Sequence, residues 1–294
     1  MAGKFILSIL GSASAKPSRT RESSAQLLQA AERLFLIDCS EGCQRRMTSH
    51  TDRLKEWAAA ASLQGVRRVS KTQLDAIFIS HVHGDHMFGL FPLLSTMSLN
   101  GRKKPLTIFG PSNLGPILNF YKSFWGDKDP FELVFVPLKC KEPEVVLEYP
   151  GLRVEAFPLR HGIDCFGYIF RETPPPGLSA TPAAAAPLPR LRSYAYCSDT
   201  APFEQLPQWV CGVDVLYHEA TYMRRDAAKA LARFHSTTAD AATCALEAGA
   251  GRLLVGHYSS ALRDEDIAGE FIAEVREIFP AATAVSDGDI YDIL

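Results

Sequence analysis

Three histidines and an aspartate crowd into the six positions His81-Val-His83-Gly-Asp85-His86, in a chain that holds only eight histidines in 294 residues. Imidazole nitrogen and carboxylate oxygen without thiolate are the donors of a catalytic rather than a structural zinc site. Alternate residues of an extended segment point the same way, so His81 and His83 can share one metal ion. Gly84 then permits a sharp turn that redirects Asp85 and His86 toward a second ion. Two ions about 3.5–4 Å apart can hold a bridging hydroxide and clamp both oxygens of a displacement reaction. Packing alone offers no rationale for so dense a group. A lone histidine such as His50 reads instead as a surface or hydrogen-bonded core residue, since nothing near it in sequence supplies a partner.

Other polar groups share one setting. His81 follows the apolar run DAIFIS, His161 follows VEAFPLR, Asp199 follows SYAYCS, His218 follows GVDVLY and His257 follows RLLVG. Each sits just past a strand, where loops leave a sheet and side chains from distant sequence can converge on a rigid scaffold.

The elements that must position them are legible as short apolar runs bounded by turn signals. In the first half these are residues 4–10, 33–38, 75–80, 105–110, 132–138 and 152–159, whose length and β-branched or aromatic content predict strands. The Ala-rich stretch 53–64 reads as a helix, and 112–124 as another with Ser112 as its cap. The second half alternates more regularly, with strands at 193–197, 212–217, 252–256 and 290–294 and helices at 237–249 and 264–279. Thr237 or Thr238 with Asp240 starts the first of these helices. No repeat of 20–50 residues is visible. The stretch TPPPGLSATPAAAAPLPRLR (173–192) has no usable periodicity and reads as an exposed, partly polyproline loop.

With 47% hydrophobic residues the chain can bury a large core. Seven cysteines, without CxxC spacing, argue against a disulfide framework or a Cys-based zinc site and for a reducing compartment. No stretch approaches the roughly 18 apolar residues of a membrane span, so a cytoplasmic protein is expected. A net charge of −2 supplies no general field for a polyanion. Nucleic-acid binding would need local patches, and the basic clusters at 16–21, 67–68, 101–104, 190–192 and 224–225 each read first as solvated surface.

The motif HxHxDH makes the chain resemble the metallo-β-lactamase superfamily. LGSASAKPSRTRESSAQLL (10–28), LFLIDCSEGCQRRM (34–47), PLRHGIDCFGY (158–168), YCSDTAP (196–202), VDVLYHEATY (213–222), FHSTTADAA (234–242) and LLVGHYSS (253–260) make it resemble, more narrowly, the ribonuclease Z family of tRNA 3′-processing endonucleases. That resemblance implies one domain over residues 1–294 with an αβ/βα sandwich, two mixed β-sheets flanked by helices. It implies two Zn2+ per subunit, one bound by His81, His83 and His161 and the other by Asp85, His86 and His257, with Asp199 bridging. Asp85 would help activate the metal-held water. His235, supported by Glu219, would stabilise the scissile phosphate and protonate the leaving oxygen, and His218 is expected to make a hydrogen bond behind the ligands.

The implied activity is removal of the 3′ trailer of precursor tRNA by a cytoplasmic homodimer, with no membrane or DNA partner. Two departures from the family pattern bear on the substrate. The Pro/Ala-rich segment 173–192 stands where the family usually carries a long tRNA-gripping arm, and Glu22 and Ser23 stand where the family more often has Asn and Val. A binuclear zinc phosphodiesterase acting on small phosphodiesters or short RNA is therefore the alternative. A domain that binds RNA or a partner without catalysis is a third, opposed by the complete ligand set.

Overall fold

The computed structural model describes residues 4–125, 130–174 and 190–294. Parallel strands covered on both faces are apolar at nearly every position, whereas edge strands mix polar residues in, and the chain follows this division. The first sheet runs in the order β14-β1-β2-β3-β4-β5-β6, where β1 is Ile6–Gly11, β2 Ala25–Ala30, β3 Arg33–Ile37, β4 Ala76–Phe78, β5 Leu106–Pro111, β6 Leu133–Leu138 and β14 Ile290–Asp292. The second runs β13-β12-β11-β10-β9-β8-β7, with β7 Glu144–Tyr149, β8 Leu152–Pro158, β9 Phe166–Glu172, β10 Ser193–Cys197, β11 Val215–Glu219, β12 Arg252–Gly256 and β13 Ala282–Ala284. Strands β3 to β6 are mutually parallel, as are β10 to β13, and the remaining pairings are antiparallel.

Side-chain alternation sorts the apolar residues into three cores. Phe35, Phe78, Phe109, Tyr168, Phe170 and Tyr217 pack between the sheets. Leu34, Leu36 and Ile77, the alternate residues of β3 and β4, face the helices of the first half. Leu216 and Leu253 face those of the second. Helix, sheet, sheet and helix are thus stacked, the sandwich expected from the resemblance. Aromatic rings hold the middle layer: Phe78 stacks on Phe109 at 4.8 Å and meets Tyr168 and Phe170 edge-on at 5.1 Å.

Several expectations shift. The first helix spans Cys43–Ala60 rather than 53–64. Its first half, rich in Ser, Thr and His, has weak helix propensity, but Cys43, Met47, His50, Leu54 and Ala58 bury one stripe, and packing overrides propensity. Ser112 does not cap the helix Leu114–Phe124, whose N-cap is Asn113 with no side-chain hydrogen bond. Thr237 does cap the helix Thr238–Glu247, in a reciprocal pair with Asp240. Strands β2, β7, β9 and β13 and the helix Leu90–Leu99 were not among the elements read from the sequence. His50 is buried, and neither ring nitrogen has a hydrogen-bond partner among the described residues. Most of the Pro/Ala-rich segment, 175–189, lies outside the described residues, as does the Gly-Asp-Lys-Asp stretch 126–129.

Candidate metal centre

The C-terminal ends of the parallel strands of both sheets meet at one edge of the sandwich, and the polar residues that follow those strands meet there too. Three of them, Asp38, Asp199 and His257, have φ of 54°, 59° and 60°. Left-handed backbone at a non-glycine residue costs about 1–3 kcal/mol and persists only where the surroundings enforce it. Here it turns a side chain back across the strand ends.

Two groups of donors result. In the first, His81 Nε2 lies 2.9 Å from His83 Nδ1, which lies 3.3 Å from His161 Nε2. In the second, His86 Nε2 and His257 Nε2 are 3.3 Å apart, with Asp85 Oδ2 at 3.5 and 3.7 Å from them. Asp199 faces both: Oδ2 is 3.7 Å from His81 Nε2 and 3.9 Å from His161 Nε2, while Oδ1 is 3.2 Å from His86 Nε2 and 3.0 Å from His257 Nε2. Donors tetrahedrally arranged at about 2.1 Å from a zinc ion would be roughly 3.4 Å apart. The spacing fits a metal in each group.

Outer contacts aim the rings inward. His86 Nδ1 lies 2.7 Å from Asp38 Oδ2, His257 Nδ1 2.9 Å from Thr221 Oγ1, His161 Nδ1 3.2 Å from the Phe234 carbonyl and His81 Nδ1 3.0 Å from Ser80 Oγ. Each leaves Nε2 for the centre. The Ala15 amide donates to Asp85 Oδ2 at 2.7 Å, so the N-terminal loop touches the site directly. Glu22 of that loop is turned inward, ion-paired with Arg45 and Arg46. Gly84 opens the short helix Gly84–Met87 rather than a left-handed turn; a Cβ there would come within 2.5 Å of the Phe88 ring.

The electrostatics favour cations. Burial opposes ionisation of Asp85, but His86 and His257 hold its carboxyl far below the usual carboxylate range. Asp199, also against burial, is held low by His257, His86 and His81. Reciprocally, burial disfavours the charged form of His257, yet Asp199 and Asp85 push its imidazole up to about 10. A pit that binds protons this firmly has the charge to bind a dication in their place.

Beside it, His235 Nδ1 lies 2.7 Å from Glu219 Oε1. Fully buried Glu219 also accepts from the amides of Thr200 (3.0 Å) and Thr221 (2.9 Å) and from the Thr221 hydroxyl (2.6 Å). Burial lowers the His235 pKa, but the Glu219 charge and hydrogen bond outweigh it and the net shift is upward. His235, Asp199 and His257 each offer a donor atom within 4.8 Å of the others.

All seven metal-compatible residues singled out by sequence, with Glu219 and His235, therefore converge. His218 does not. On β11 it shares the helix-facing side with Leu216, while Glu219 shares the inner side with Tyr217. Its Nδ1 contacts the Glu219 carbonyl at 2.7 Å, and its side chain lines a cavity with Pro207, Asp240 and Cys244, so it does not back the ligands as expected. Strand parity alone carried that information. Asp38 was missed: it accepts from the Ser80 amide (2.7 Å) and hydroxyl (2.9 Å) and the Tyr196 hydroxyl (2.7 Å) as well as contacting His86. It follows the strand RLFLI, so the strand-end rule that selected the other site residues applied to it equally.

Residues 33–258 match the β-lactamase superfamily domain. The fold is also that of human short-form tRNase Z (TM-score 0.75, 24% identity, 98% of this chain and 99% of that one) and of the metallo-β-lactamase fold protein YhfI of Bacillus subtilis (TM-score 0.72, 19% identity, again 98% and 99%). Fold and donor set thus define a member of the metallo-β-lactamase superfamily. Ribonuclease Z of Cytophaga hutchinsonii is 35% identical over 98% of this chain and 96% of its own length, and that of Bacteroides fragilis is 32% identical over 94% and 95%. The chain belongs to the ribonuclease Z family.

Proposed function

We propose that the protein is a metal-dependent endoribonuclease that removes the 3′ trailer of precursor tRNA, with two zinc ions per subunit. The observation that carries this reading is the position of Asp199, whose two oxygens face two separate donor groups, next to a histidine held by a buried carboxylate. His81, His83 and His161 would hold one ion, Asp85, His86 and His257 the other, and Asp199 would bridge. Bound there, the ions would generate a nucleophile from water near neutral pH and neutralise charge on the phosphate. Asp85, partly buried and ionised, would accept a proton from that water. His235 has its Nδ1 engaged by Glu219, which leaves Nε2 to donate to the departing ribose oxygen, and its raised pKa keeps that proton available near neutrality.

The same proposal takes all 294 residues as one domain and the working form as a homodimer, of about twice the 32.3 kDa chain mass, in the cytoplasm. All seven cysteines are free, and among the described residues no helix is long and apolar enough to cross a membrane. The test gives zinc-loaded protein a 3′-extended pre-tRNA beside a small chromogenic phosphodiester and maps every RNA end. A cut leaving a tRNA 3′-hydroxyl, abolished in Asp85→Ala, is the expected result. Turnover of the small ester alone would reassign the centre to small phosphodiesters.

A further inference from the structure

Most of the basic clusters visible in the sequence are spent on the protein itself. Arg21 pairs with Asp264, Arg67 and Lys104 with Asp75, Arg190 with Asp214, Arg192 with Glu172, Arg224 with Glu277 and Arg225 with Glu270. Arg102 is buried, bonded to the backbone carbonyls of Thr72, Lys104 and Pro105. A cleft of about 560 Å³ that opens beside the metal centre is different. It lies where β5, β6 and β8 end and β9 begins, and His161, one of the proposed ligands, forms part of its wall.

Lys139 and Lys141 also line it. Both are exposed, the intervening Cys140 is buried, and among the described residues neither lysine has a carboxylate within 4.0 Å. The one acidic side chain on the lining is the exposed Asp164. Ile163 and Phe166 supply an apolar wall, and Ser112 a hydroxyl. Two ammonium groups, an apolar surface and two ribose-compatible polar groups match a nucleotide: phosphate on the cations, base against carbon, sugar hydroxyls to oxygen. The cleft is open to solvent, and its volume is enough for a nucleotide to lie along it.

We infer that this cleft seats single-stranded RNA next to the scissile phosphate, with Lys139 and Lys141 holding its backbone. The inference rests on the RNA-cleaving reading above. Charge contributed here, rather than by a long arm, would guide the RNA end to the metals.

The test compares zinc-loaded wild type, Lys139→Ala/Lys141→Ala and a charge-matched control, Lys55→Ala/Lys103→Ala, on 3′-extended pre-tRNA and on the small chromogenic diester across a salt series. In the cleft variant, KM for pre-tRNA is expected to rise about tenfold, and the slope of log(1/KM) against log salt to weaken by about 1.4, two single-strand phosphate contacts at roughly 0.7 each. Its loss on the small diester should be several-fold smaller, and Lys139→Arg/Lys141→Arg should restore the slope. A cleft variant that matches the control in KM and slope overturns the inference. If the wild type does not cut pre-tRNA, the reading of the enzyme fails separately. The cleft is then judged on the Kd of a single-stranded RNA oligonucleotide, where tenfold weakening in the cleft variant alone upholds it and equal affinity sinks it.

Discussion

The two donor groups of the metal centre are built from similar residues but are supported differently. Around His86, His257 and Asp85 every ligand is backed: by Asp38, by Thr221 and by the Ala15 amide. His86 and His257 are fully buried. Around His81, His83 and His161 only two rings have an outer contact; His83 has none among the described residues and is exposed, and His161 is partly exposed. Outer contacts fix ring orientation and are worth roughly 10–100-fold in metal affinity. The second group should therefore hold its metal more firmly, and the first, bordering the open cleft, should be the one that exchanges. Seven similar donors do not make two equal sites.

Asp199→Ala removes the one residue common to both groups. It should lower metal content at each and reduce RNA cleavage by more than about 1,000-fold, as transition-state charge stabilisation worth several kcal/mol is lost; metal analysis and single-turnover cleavage check it. His235→Ala should leave metal content intact while kcat falls about 100- to 10,000-fold, the range for losing a positioned acid. Metal loss in that variant would mean that His235 belongs to the second donor group and not to the Glu219 pair.

A histidine buried without support extends the contrast. Burial, with a further push from Arg53, drives His50 down to about 4. Because the unfolded chain binds that proton near pH 6.5, stability due to neutral His50 is complete above about pH 6.5 and is lost as pH falls toward 4, by up to about 3 kcal/mol. Urea unfolding of metal-loaded protein should show a steeper acid loss in wild type than in His50→Leu. Smallest in free energy, Asp38→Asn should weaken metal binding in the second group by about 10–100-fold and in the first by less, because there it acts only through the Ser80 hydroxyl that contacts His81. Competition with a chromophoric chelator would resolve the two, and equal weakening of both would erase the distinction.

Much of this centre was readable in the chain because its chemistry is local in two ways. HVHGDH concentrates four donors in one stretch, and the remaining ligands each follow a recognisable strand, so placing the strands placed His161, Asp199 and His257. What escaped depended on tertiary contacts. Asp38 follows a strand as the other site residues do, but it acts through His86, 48 residues away, and only the fold shows that its carboxylate is aimed at an imidazole. The early turns of the first helix form because one face is buried, against the preference of Ser, Thr and His. Polar or short strands such as β2 and β13 are stabilised by the ladders around them and carry little periodic signal. Conversely His218, adjacent to Glu219 in a family motif, is excluded from the site by the two-residue period of β11 alone.

The most direct measurement is stepwise chelation of the zinc-saturated protein, with bound metal and pre-tRNA cleavage followed in the same samples. Two zinc ions per chain should leave in separate steps, the weaker from the His81, His83 and His161 group, with cleavage lost in that first step. A single equivalent of zinc, or trailer removal that persists after both ions are gone, would contradict this.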